Sequence, residues 1–70
     1  MLNVMVMDSH KHEPIHMDVD VAADKFVIDD VVVYRIERGA DYVFVDANDP
    51  SKEICFISKA DMNTILNDTP

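Results

Sequence analysis

His10, His12 and His16 stand with Asp8, Glu13 and Asp18 in the stretch "DSHKHEPIHMD", so six potential metal ligands fall within eleven positions. Zinc takes about four N, S or O ligands in a tetrahedral array. In an extended segment residues 10 and 12 point the same way, and Pro14 can bend the chain to bring His16 back toward them. The segment has neither a helical HExxH nor a paired CxxC, and without those the spacing is a weak signal. Solvated surface histidines beside carboxylates are the expected outcome. A small metal-binding module using His10, His12 and His16 is the alternative, and no metal or other cofactor is expected.

Nucleophilic catalysis needs Ser, Cys or Lys beside a positioned base and an oxyanion hole, and no local signature of that kind occurs. A single glycine, Gly39, leaves no phosphate-cradling loop. Asp18 and Asp20 can in principle divide acid and base roles, but 70 residues offer little room for a concave pocket around them. The expectation is a protein that is not an enzyme. Cys55, the one cysteine, sits in the apolar run "ICFI" and reads as a small buried hydrophobe, with no internal disulfide possible.

Charge carries more information. Fourteen Asp and Glu against six Lys and Arg give a formal net charge of -8, which sets the chain against nucleic acid and anionic membrane as direct partners. A hydrophobic content of 49% argues for a packed fold under that charge and against disorder. Eleven of the fourteen acids are aspartates, whose short stems fix the charge more closely than glutamate does. On one face of a strand, residues i and i+2 lie roughly 6.6 Å apart, close to two phosphate steps of roughly 3.4 Å along a DNA strand. Asp18 and Asp20 meet that condition. Aspartate is also a turn former, which by itself accounts for Asp24, Asp29, Asp41 and Asp49 one at a time. No apolar run approaches the roughly 20 residues that span a bilayer, and no basic residues precede the apolar start "LNVMVM" as they would in a secretory signal. The expected location is the cytoplasm.

The elements that must position these residues form one domain over residues 1–70. "IHMDVDVA" (15–22) alternates, with Ile15, Met17, Val19 and Val21 on one face and His16, Asp18 and Asp20 on the other. "DVVVYRIE" (30–37) and "DYVFVDA" (41–47) flank "RGAD" as a hairpin, "NDPSK" makes a second turn at Pro50, and "EICFIS" (53–58) completes a meander. "LNVMVM" is a strand, and "DKFVID" adds a short strand or turn. "SKADMNTILND" predicts a helix capped by Ser58, with Met62, Ile65 and Leu66 on one face. The fold class is α+β: a small, mostly antiparallel β-meander with a short C-terminal helix. "VVVY" and "YVFV" put apolar side chains on both faces, more than one helix can cover, and this points to a homodimer. Cover of both faces by the helix and the first strand within one chain is the alternative.

In length, acidity and β-rich character, with "HMDVDVAADKFVIDD" as the most suggestive stretch, the chain resembles the small acidic DNA-mimic proteins that bacteriophages use for host takeover. Among these it is most similar to inhibitors of the bacterial nucleoid protein HU. The resemblance implies a homodimer in the bacterial cytoplasm or nucleoid that occupies the DNA-binding surface of HU and competes with DNA. It also implies Asp18, Asp20, Asp29 and Asp30 as phosphate substitutes, with Glu37 and Asp46 beside them. Arg35 and Arg38 depart from a purely negative surface. An acidic dimeric interaction module with a different partner is the second reading.

Overall fold

The structure, a computed structural model, describes residues 2–67; Met1 and Asp68 lie outside that range. Six strands follow one another as β1 (Leu2–Asp8), β2 (Pro14–Asp20), β3 (Lys25–Ile28), β4 (Val31–Arg38), β5 (Asp41–Asp46) and β6 (Asp49–Ser58), and the helix α1 (Lys59–Asn67) follows them. Every neighbouring pair is antiparallel. The meander closes on itself through β1 and β6, so the sheet is a barrel.

Alternation decides which side chains fill it. Val4 and Val6 of β1, Met17 and Val19 of β2, Phe26 and Ile28 of β3, Val33 of β4 and Phe44 of β5 point inward and are buried. They belong to one core in which the rings of Phe26 and Phe44 meet at 5.1 Å and a 55° tilt. The seam between β1 and β6 is short, with partners only at Met7↔Phe56 and Asp8↔Cys55. Below it the two strands part, and Met62 of α1 enters the same core, fully buried. The helix is nine residues long, too short to persist alone, so its anchor is this contact with the half-buried Ile65 and Leu66. Its start is fixed as the sequence predicts: the Asp61 N–H donates to Ser58 Oγ at 3.1 Å.

Two expectations need correction. Val21 does not continue the inward row of β2; the strand ends at Asp20 and Val21 is 56% exposed in the following turn. Pro50 is not the second turn but lies within β6, in an irregular stretch where Asp46 pairs Asp49 while Val45 pairs Glu53. Proline has no N–H to give a ladder and is tolerated at such an irregularity. The turn itself falls on Ala47 and Asn48. Gly39 supplies the positive φ, 59°, that the β4–β5 turn needs.

Up-and-down order sends alternate turns to opposite ends. The β1–β2, β3–β4 and β5–β6 turns share one end, here the upper; the β2–β3 and β4–β5 turns share the lower end with the start of α1.

Candidate functional site: an acidic rim

Because the odd-to-even turns converge, the upper rim gathers Asp8, Glu13, Asp29, Asp30, Asp46 and Asp49 against Lys11 and Lys52. The β3–β4 and β5–β6 turns are tied together, the Ala47 N–H donating to the Val32 carbonyl at 3.1 Å. Asp29 and Asp30 are the two central residues of a tight hairpin between Ile28 and Val31, which pair directly. Both have positive φ, 48° and 64°, as a type I′ turn requires. Asn-Gly and Asp-Gly are pairs such a turn favours, so the departure is Asp30 in the glycine position. Two adjacent, exposed carboxylates thus occupy the turn.

Three of the other rim acids are held by local hydrogen bonds. Asp8 accepts from the backbone N–H groups of His10 and Lys11 at 2.7 and 3.1 Å, and these bonds hold its carboxyl below the usual range. Asp46 accepts from Asn48 N–H at 2.8 Å, and Asp49 from the Ser51 N–H and hydroxyl at 3.3 and 2.6 Å. These bonds neutralise no charge. They orient the carboxylates and leave them negative.

The acids expected at the site are therefore separated. Asp29, Asp30 and Asp46 share the upper end. Asp18 and Asp20 lie on the outer face of β2, toward the lower end, where Asp18 accepts from Asn3 Nδ2 at 3.2 Å and Asp20 stands across from Lys25. Glu37 is lower still and 3.8 Å from Lys59. Asp8, Glu13 and Asp49 were missed because nothing in the local sequence brings them beside Asp29 and Asp30. The signal that finds them is topological: a meander places every second turn at the same end.

The arginines are engaged. Arg35 faces inward at the lower mouth, 5.4 Å from the Phe26 ring centre and 5.1 Å from that of Tyr42, and 3.8 Å from Asp24. It closes the end of the core. Arg38 on β4 reaches across β5 to Glu53 on β6, Nη2 to Oε1 at 2.7 Å. Glu53 also accepts from Ser9 Oγ at 2.6 Å, and the Ser9 and Arg38 bonds together hold its carboxyl below the ordinary value, with the hydroxyl the larger cause.

The histidines occupy separate places. His10 Nε2 lies 3.1 Å from the Glu53 carbonyl, His12 takes a positive φ of 56° in the turn, and His16 Nδ1 meets Asn3 Oδ1 at 2.7 Å on the outer face of β2. Among the described residues no three His, Cys, Asp or Glu side chains converge as a metal site. Cys55 is fully buried, and burial, reinforced by the charges of Asp8 and Glu53, pushes its thiol up to about 12. A groove of about 530 Å³ runs between α1 and the parted β1 and β6, with Met5, Met7, Phe56 and Ile65 in its walls. Among the described residues no helix is long and apolar enough to cross a membrane. Comparison with known protein families, curated proteins and solved structures returns no match in any of the three.

Proposed function

We propose that the protein is a non-catalytic binding module whose upper rim captures the DNA-binding surface of a basic protein and excludes DNA from it, with bacterial HU as the partner. The observation that carries this reading is the pair Asp29 and Asp30. Two like charges in a turn that favours Asn-Gly cost stability, and such local cost is characteristic of residues kept for binding. Around them three more carboxylates, Asp8, Asp46 and Asp49, are oriented by hydrogen bonds that do not quench them. The resulting field steers a cationic partner to one end of the barrel, and the closed sheet beneath holds the charges in place. HU binds DNA largely through its phosphates and through its shape, so a rigid negative surface can compete without copying base edges. Asp18 and Asp20, with phosphate-like spacing on β2, extend the surface down one side.

A gel shift with purified HU and labelled DNA tests this. Adding the protein releases free DNA, and the release weakens as salt rises. The variant carrying both Asp29→Asn and Asp30→Asn requires markedly more protein for the same release, while Asp61→Asn at the lower end behaves as the parent. A ternary complex of HU, DNA and this protein, or no binding to HU, overturns the mimicry.

A further inference from the structure

Alternation along β4 leaves a second surface, which shares only Asp30 with the rim. Val32, Tyr34, Ile36 and Arg38 follow at every second position of β4 and Asp30 of the preceding turn stands at their upper end, so the row reads acid, three apolar residues, base. Val32, Tyr34 and Ile36 are 38%, 57% and 44% exposed although they sit mid-strand in a closed sheet. Their flanks are apolar too. Val27 is the partner of Val32 on β3, and Val45 and Val43 are the partners of Tyr34 and Ile36 on β5. Val43 and Val45 lie outside the barrel core yet are buried, beneath a face that the Arg38–Glu53 bridge crosses.

We infer that this face packs against the same face of a second copy of the chain, in antiparallel orientation about a two-fold axis near Tyr34. Charge decides both the occupant and the orientation. The row is self-complementary only when reversed: the Asp30 end of one chain then meets the Arg38 end of its partner, whereas parallel alignment sets acid on acid. Arg38 uses one of its five N–H donors on Glu53, so it retains donors for a second carboxylate. A head-to-tail contact is disfavoured because it sets this apolar face of one chain against the carboxylate-bearing surface of the next. The assembly therefore closes at two copies. The surface this contact would bury is the exposed row itself, Val32, Tyr34 and Ile36 with Asp30 and Arg38 at its ends.

Reversal has a further consequence. The two upper rims point away from each other, so one dimer offers acidic surfaces at both ends and holds its net charges apart by more than a Debye length of roughly 8 Å. Asp30 stands where the row and the rim meet, and the other five carboxylates belong to the rim alone. The inference does not depend on what the rim binds, and its test uses no partner.

Sedimentation equilibrium of the full chain at micromolar concentration gives twice the 8.0 kDa monomer mass. Ile36→Asp gives the monomer mass with an unchanged far-ultraviolet spectrum. Orientation is read with a short bis-maleimide on single-cysteine variants, the native Cys55 being buried and unreactive. Tyr34→Cys links to itself. Val32→Cys and Ile36→Cys link to each other when mixed and not to themselves. These exposed-site variants keep the test open if Ile36→Asp does not fold. A parental chain that stays monomeric at hundreds of micromolar overturns the inference. Efficient self-linking of Val32→Cys overturns the antiparallel arrangement, and efficient linking through Met5→Cys moves the interface to β1.

Discussion

Replacing Asp29 by Asn and Asp30 by Gly makes the β3–β4 turn an Asn-Gly type I′ hairpin and removes two adjacent charges. The magnitude follows from the backbone. At φ 64° glycine carries no Cβ penalty, and relieving a non-glycine residue there is worth about 0.5–1 kcal/mol, less the entropy that glycine adds to the unfolded chain. Two carboxylates about 6 Å apart in water repel by about 0.7 kcal/mol before screening, and by about half of that at physiological salt. The sum is a stabilisation of about 1 kcal/mol. In a domain of this size that raises Tm by about 4–8 °C. Urea and thermal unfolding by circular dichroism measure it, repeated across a tenfold range of protein concentration so that association between chains is separated from the turn. The gain in stability is accompanied by weaker capture of HU, the pattern of a residue pair retained for binding at the expense of the fold. Destabilisation, or no change beyond a few tenths of a kcal/mol, refutes the reasoning, because the aspartates would then be what the turn itself needs.

Three further outcomes are expected. Met62→Ala removes three buried heavy atoms, worth about 2.4 kcal/mol in transfer and about 3–4 kcal/mol with the void, so urea unfolding shows that loss while exposed Asn63→Ala stays within about 0.5 kcal/mol. Cys55 does not react with a thiol reagent in the folded protein at pH 8 and reacts at once in denaturant, since its thiol is buried and pushed up to about 12. Glu53 has a folded pKa below its ordinary 4.5, so the stability it contributes is full above about pH 4.5 and is lost as pH falls through the lowered value. Ser9→Ala, which removes the larger cause, moves the Glu53 carboxyl back toward 4.5 in a carbon-13 NMR titration.

Local pattern made much of the fold legible. The alternation "IHMDVD" is β2, the two apolar runs around Gly39 are β4 and β5, and Ser58 caps the helix from which Met62, Ile65 and Leu66 reach the core. The two-sided apolar character of "VVVY" and "YVFV" is visible in the structure as an inward row and an outward row, the outward row exposed on β4 and buried on β5. Closure was not legible, since it depends on how far the accumulated twist and stagger of six strands bring β1 to β6, a property of no single segment. The irregular start of β6 was hidden for a similar reason. "NDPSK" has turn composition, and only the register of Asp46 against Asp49 places Pro50 inside a strand. At the site, Asp29, Asp30 and Asp46, which the resemblance implies, share the upper end. Their union with Asp8, Glu13 and Asp49, and the separation of Asp18, Asp20 and Glu37 from them, follow from strand direction alone. Arg35, read as a surface cation, proves to seal the core against Phe26 and Tyr42.

Capture of a basic protein through the upper rim is tested most directly by titrating HU into the isotope-labelled chain and following backbone amide shifts by NMR. The expected result is perturbation concentrated on the three upper turns, at Asp8, Glu13, Asp29, Asp46 and Asn48, fading as salt is raised, with the lower turn at Gly39 and Ala40 unmoved. Perturbation confined to the lower end or to the outer face of β4, or no perturbation at all, contradicts it.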